Sequence, residues 1–171
     1  MDLKKIIRNI NDFPQKGILF YDITTILNSP DALSFTIDKM AEKISNINFD
    51  LIACPESRGF IFGMPLAYKL KKGFVPARKP GKLPYEIISK SYSLEYGTNS
   101  IEIHADAIKP GQKVVIVDDL LATGGTCKAL AELIEEVGGE VAAIEFLIEL
   151  KNLNGRENLS KYQNVLSVID Y

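Results

Sequence analysis

Two adjacent acids, Asp118 and Asp119, are followed almost at once by Ala122-Thr123-Gly124-Gly125-Thr126, a run of small residues carrying two hydroxyls. A pair of carboxylates can hold sugar hydroxyls or a hydrated divalent cation. A glycine turn that opens a helix can aim backbone N–H groups at a phosphate, helped by the positive end of the helix dipole. Together these groups point to a phosphorylated sugar. Neither G-x-x-x-x-G-K-[ST] nor G-x-G-x-x-G occurs in the chain, so those two nucleotide-binding loops are excluded. Taken singly, each residue also suits an ordinary turn after a strand. The order of acid pair, turn and helix is what carries the chemistry.

Two further stretches are suited to anions. Glu56-Ser57-Arg58-Gly59 offers backbone N–H groups, a hydroxyl and a guanidinium fork, the groups that recognise a pyrophosphate. Arg78-Lys79-Pro80-Gly81-Lys82 brings three cations into a loop that its prolines and glycine keep from being helical. Solvated surface charge is the plainer reading of both stretches. His104, the sole histidine, is expected at the surface or as a cap.

The elements that must position these groups follow from the apolar pattern. Val114–Val117 is a β-branched run that reads as a strand buried on both faces, with the acids at its end. Cys127, Leu130, Ala131, Ile134 and Val137 then mark one face of a helix, stopped by Gly138-Gly139. The Arg58 loop lies between a strand over 51–54 and a helix patterned by Ile61, Met64, Ala67, Tyr68 and Leu70. Further strands are expected at 73–77, 141–150 and 165–169, and residues 152–160 read as a polar surface turn. At the start, Leu3, Ile6, Ile7 and Ile10 predict a short amphipathic helix. Ser29 or Asp31 can cap a second helix striped by Leu33, Ile37, Met40, Ile44 and Ile47. Between 78 and 104 the chain makes a long excursion with a hairpin tip near Tyr92–Thr98, of the kind that serves as an active-site lid. Strands alternating with helices imply an α/β fold with a mostly parallel sheet flanked by helices.

Bulk properties narrow the function classes. The 171 residues suit one domain, and a net charge of −2 with a sequence pI near 5.5 argues against a nucleic-acid partner. Cys54 and Cys127 are not in a C-x-x-C pair and are expected to be reduced, space-filling residues. No apolar run reaches about 18 residues, and residues 1–12 carry charge early and lack an export core. A cytoplasmic protein with no membrane association is expected.

The string VVIVDDLLATGGT, residues 114–126, resembles the signature of type I phosphoribosyltransferases, enzymes that use 5-phosphoribosyl-1-pyrophosphate (PRPP). It is most similar to the form found in the adenine-specific members. The resemblance extends from Phe13 to about Leu150 through several motifs in family order. It implies one phosphoribosyltransferase domain over 1–171, with a hood segment at about 1–30 and a flexible lid at about 79–104. It assigns Asp118, Asp119, Ala122, Thr123, Gly124, Gly125 and Thr126 to the ribose and 5′-phosphate. Ser57, Arg58, Gly59, Arg78, Lys79 and Lys82 go to the pyrophosphate, some of them acting from a partner subunit. A peptide matching Glu56-Ser57 is often cis in this family. The segment 13–27 would supply an adenine pocket through Leu19, Phe20 and Tyr21. Here the chain departs from the family, with Tyr21 at a usually basic position and Lys16 and Thr25 where proline is usual.

The implied reaction joins adenine to PRPP, giving AMP and pyrophosphate. Mg²⁺ would be held mainly by substrate oxygens and water near Asp118 and Asp119. Those acids would stabilise the oxocarbenium-like ribose, with Glu95 and Tyr96 at the lid tip completing the catalytic set. Enzymes for hypoxanthine and guanine place an aspartate at the position of Ala122 to handle the proton on purine N7. Alanine cannot do so, and Glu95 matches the glutamate that adenine enzymes bring to N7. The alternatives are a xanthine or hypoxanthine/guanine enzyme, or a non-catalytic PRPP-binding regulator. Such regulators usually carry an added DNA-binding domain. Family members are typically homodimers, and the basic loop and opening segment are expected contact surfaces.

Overall fold

The computed structural model describes residues 1–93 and 98–171, which gather into two compact units, residues 1–39 and 40–171. In the first unit, Leu3–Lys5 makes a single 3-10 turn, and Arg8–Asn11 (β1) pairs antiparallel with Leu19–Asp22 (β2). The apolar spacing of Leu3, Ile6, Ile7 and Ile10 therefore does not build the predicted helix. So short a helix gains little against its nucleation cost, whereas the hairpin gives each strand a backbone partner. Asp12, at φ 58, turns the chain, and its carboxylate accepts from the Gly17 N–H at 2.6 Å. Phe13, next to a cis proline bond, packs edge-on against Phe20 with centroids 5.0 Å apart. Thr24–Leu27 (α1) and Pro30–Lys43 (α2) follow. Pro30 opens α2, and the Ser29 Oγ accepts from the Ala32 N–H at 3.3 Å, as the capping pattern predicts.

The second unit continues with Leu51–Pro55 (β3), Arg58–Leu70 (α3), Gly73–Ala77 (β4), Ile87–Ser93 (β5) and Thr98–His104 (β6). Then come Lys113–Leu121 (β7), Gly125–Glu136 (α4), Glu140–Glu149 (β8), Gly155–Asn158 (α5) and Val165–Asp170 (β9). Five strands form a parallel sheet in the order β4-β3-β7-β8-β9. β5 and β6 make a separate antiparallel hairpin. The order reverses between β3 and β7. The unit β3-α3-β4 steps one way and β7-α4-β8 the other, so right-handed crossovers place α3 and α4 on opposite faces. Ligands bind such sheets beyond the strand ends at this reversal.

One face is filled by Leu130, Leu133 and Ile134 of α4 against Ile116, Ile144 and Phe146. On the other, α3 packs through Gly59, Phe62, Gly63, Leu66 and Ala67. The helical stripe read from the sequence falls largely on its outer side, where Ile61, Met64 and Tyr68 are 37%, 49% and 86% exposed. Glycines carry no hydrophobic signal, so a helix that packs closely through Gly59 and Gly63 hides its true inner face. No helix among the described residues is long and apolar enough to cross a membrane.

One core residue is out of keeping with its surroundings. Glu145 lies on β8 between Val117 and Leu166, fully buried, and neither carboxyl oxygen has a hydrogen-bond partner. Burial pushes its pKa from 4.5 up to about 8, with Lys43 pulling the other way. Between those values the unfolded chain has released the proton while the folded chain still holds it. Stability therefore falls as pH rises through that window and levels off above it. Glu145→Gln is expected to be nearly neutral at pH 5 and stabilising at pH 8, by at most about 5 kcal/mol. Urea unfolding at the two pH values checks this; the same difference at both would show that ionisation is not the cause.

Candidate active site

β7 runs further than its sequence suggests, carrying Asp118 and Asp119 inside a strand that stays paired with β8 as far as Leu121. Its pairing with β3 stops at Ala53–Ile116. The acids therefore stand at the reversal point, on backbone bonded to β8. Asp118 Oδ1 accepts from the Asp119 N–H at 2.9 Å. Burial dominates both groups. It pushes Asp118 well above the ordinary carboxylate range, reinforced by the charge of Asp119. It also raises Asp119, against the pull of the Arg58 guanidinium.

Arg58, the first residue of α3, meets Asp119 with Nε 2.9 Å from Oδ2. This contact joins the loop after β3 to the end of β7, and Gly59 makes it possible. A Cβ at that position would stand 3.0 Å from the Val117 carbonyl oxygen and 3.1 Å from Asp118 Oδ1. The Glu56–Ser57 peptide just before it is cis, as the family resemblance implies.

Glu56 ties in the basic loop. Its Oε2 accepts from Arg78 Nε at 3.0 Å and its Oε1 from the Lys79 N–H. Burial works against its charge, but these bonds outweigh it and hold the carboxyl below its ordinary range. The loop is thus anchored at its root. The Arg78 and Glu102 backbones exchange hydrogen bonds of 2.8 Å, and the Gly81 N–H donates to Glu102 Oε2 at 3.2 Å. Lys79 and Lys82 have exposed side chains, and the charge of Lys82 still reaches Glu56.

Beyond β7 the chain turns through Ala122–Thr126 into α4. Gly124 sits at φ 81 as the residue preceding the first turn. The turn, Asp118, Leu120, Cys127 and Phe146 line a cavity of about 80 Å³. Cys54 and Cys127 are buried and unbridged, and burial raises both thiols, which makes them poor nucleophiles. His104 is half-buried, edge-on to Tyr85 with centroids 6.1 Å apart, and its Nε2 has no partner. It is neither a surface residue nor an evident cap.

The structure thus brings Arg58 and Gly59 to Asp119 and Asp118, with Ser57 just before them in the chain and Arg78 and Lys79 on the neighbouring Glu56. Leu19, Phe20 and Tyr21 lie on β2 of the first unit, paired with Asn11, Ile10 and Asn9. Glu95 and Tyr96 lie outside the described residues. No three His, Cys, Asp or Glu side chains gather for a metal among the described residues. The acid pair thus fits a cation that brings most of its ligands with it, and does not fit a site built wholly from protein groups.

Two contributors were not read from the sequence. Glu56 opens the anion-binding stretch with no role assigned to it, and residues 152–160 read as a polar surface turn. Instead, Lys151–Leu153 forms a 3-10 turn and α5 follows, with Gly155 and Leu159 buried and the Asn158 carboxamide bonded to the Thr123 carbonyl. The turn-forming pair Asn154-Gly155 was the available signal.

Residues 22–170 match the phosphoribosyl transferase domain. The chain is 59% identical to an adenine phosphoribosyltransferase of Thermosipho africanus over 169 residues, covering 99% of each. It is 58% identical to that of Pseudothermotoga lettingae over 171 residues, covering 100% of each. The crystal structure of adenine phosphoribosyltransferase from Thermoanaerobacter pseudethanolicus superposes with a TM-score of 0.96 at 56% identity, covering 98% of this chain and 97% of that one. The Saccharomyces cerevisiae enzyme, solved with adenine and an imino-altritol bisphosphate, gives 0.89 at 40% identity, covering 95% and 94%. With the type I fold, the acid pair and the glycine turn all in place, the chain belongs to the phosphoribosyltransferase family, on its adenine phosphoribosyltransferase branch.

Proposed function

We infer that this chain carries out the reaction its relatives are named for: adenine displaces pyrophosphate from C1 of PRPP, giving AMP. The observation that carries this is the meeting of Arg58 with Asp119 at the sheet's reversal point. There an anion-binding loop and an acid pair stand beside a glycine turn. Ala122–Thr126 receive the 5′-phosphate, while Asp118 and Asp119 take the ribose hydroxyls. As the bond to pyrophosphate stretches, positive charge develops on the ribose, and a carboxylate fixed beside the ring stabilises it. Burial raises the pKa of Asp118, and an approaching cationic ring pulls the other way, towards the ionised form.

Ser57, Arg58 and Gly59, with Arg78, Lys79 and Lys82, hold the leaving pyrophosphate. Mg²⁺, carried on substrate oxygens and water near Asp118 and Asp119, neutralises that group when bound. Leu19, Phe20 and Tyr21 form the adenine pocket. Glu95 accepts the ring proton that adenine sheds at N7 as N9 bonds to C1, the role Ala122 cannot fill, and Tyr96 covers the site. The whole chain acts as one phosphoribosyltransferase domain, with a hood at about 1–30 and a lid at about 79–104. It works in the cytoplasm, in keeping with its unbridged cysteines. It acts as a homodimer, for which the outward Ile61, Met64 and Tyr68 of α3 supply an apolar face.

With Mg²⁺ and PRPP, a panel of adenine, hypoxanthine, guanine and xanthine is expected to yield AMP alone. IMP or GMP would overturn the base assignment, and no product despite PRPP binding would indicate a regulator. Glu95→Ala is expected to lower kcat by about 10²-fold, within the range of a lost general base. Glu95→Gln can still hydrogen-bond N7 but cannot accept its proton, and it is expected to lose kcat as well. Steady-state rates with both variants check this; unchanged kcat in each would remove Glu95 from the chemistry.

A further inference from the structure

The glycine turn does not stand free. Between β8 and β9 the chain lies directly behind it, and Asn158 Nδ2 donates to the Thr123 carbonyl at 2.8 Å. A Cβ on Gly155 would come within 2.3 Å of the Ala122 carbonyl oxygen and 2.8 Å of Leu121 Cδ1. Reciprocally, a Cβ on Gly124 would stand 2.7 Å from the Gly155 carbonyl oxygen and 3.4 Å from Leu159 Cγ. Only a residue without a side chain allows so close a backing.

This backing segment is itself fixed. Arg156 forks onto Glu149, with Nε and Nη2 each 2.6 Å from a carboxylate oxygen, and its Nη1 donates to the Val165 carbonyl at 2.6 Å. The Ser167 hydroxyl donates to the same carboxylate at 2.7 Å. Glu149 ends β8 and Ser167 lies on β9, so the sheet holds the segment in place.

A trans peptide is planar, with its C=O and N–H pointing in opposite directions. A donor that fixes the Thr123 carbonyl on one side of the turn therefore aims the Gly124 N–H to the other. Asn158 lines one cavity of about 410 Å³ with Ser91, Tyr92, Gly125 and Lys128. The turn, with Asp118, lines a second cavity. We propose that Asn158 is a positioning residue: braced by Gly155 and the Arg156–Glu149 pair, its carboxamide orients the Thr123–Gly124 peptide to receive a phosphoryl group. It acts through the turn and makes no contact with the ligand. The assignment depends on that turn taking the 5′-phosphate, as proposed above.

The test is the affinity of Asn158→Ala and Asn158→Asp for two ligands, ribose 5-phosphate and pyrophosphate, measured by calorimetry alongside KM for PRPP. Ribose 5-phosphate binding and KM for PRPP are expected to worsen by about three- to tenfold on loss of one hydrogen bond. The Asp variant is expected to suffer more than the Ala variant, because its carboxylate faces a carbonyl. Pyrophosphate affinity and kcat are expected to hold. Equal loss for both ligands would assign Asn158 a general structural role and overturn the proposal, as would no loss for either. If the unsubstituted protein failed to bind ribose 5-phosphate, the turn's own role would fall, and the proposal with it.

Discussion

Two carboxyl groups on adjacent residues of a buried strand are costly to ionise, because each loses hydration and each opposes the charge of the other. At Asp118 and Asp119 the compensation comes from Arg58, across the gap where the sheet reverses. Much of the local architecture follows from that one contact. The first turn of α3 has to lie against the end of β7, which excludes a side chain at position 59. It also fixes where the loop after β3 presents its backbone. Removing Arg58 would leave an uncompensated buried acid, so loss of binding and loss of stability at this site share one origin.

The same logic extends outward through Glu56. That carboxylate is kept charged by Arg78 and the Lys79 N–H, and so joins the loop after β3 to the end of β4 and the basic loop. Glu102 on β6 then accepts from Gly81, and Lys90 on β5 pairs with Glu132 of α4 at 3.3 Å. The hairpin is therefore tied to the basic loop and to α4 by charge and by backbone bonding. Exposed ion pairs such as Lys90–Glu132 contribute little each, and the backbone bridge at Arg78–Glu102 is the firmer of the ties.

Much of this was legible in the chain itself. The β-branched run at 114–117, the capped helix at 30 and the alternating order of strands and helices are local signals, and the parallel sheet follows from them. What was hidden depended on tertiary partners. Leu3–Ile10 has helical spacing, yet β1 forms because β2 offers it a backbone partner. The inner face of α3 mixes Phe62, Leu66 and Ala67 with Gly59 and Gly63, and the glycines dilute its hydrophobic signal. Gly155 and Asn158 look like surface residues because their worth lies in what they approach, the carbonyls of Ala122 and Thr123, far away in sequence. The acid pair, Arg58 and the glycine turn stand out by type and order, but the Arg58–Asp119 bond that unites them does not.

The extension of β7 past its neighbour has a consequence for the energetics of the proposed reaction. Asp118 is carried on backbone still in register with Phe146, and Leu120 with Ile148, so neither acid rides on a loop. In solution, water dipoles must turn as charge develops on a reacting sugar, and that turning is part of the barrier. A carboxylate mounted on paired strand is already in place and has little freedom to respond. Its reorganisation energy is accordingly small, and it was supplied during folding, when the sheet formed around it.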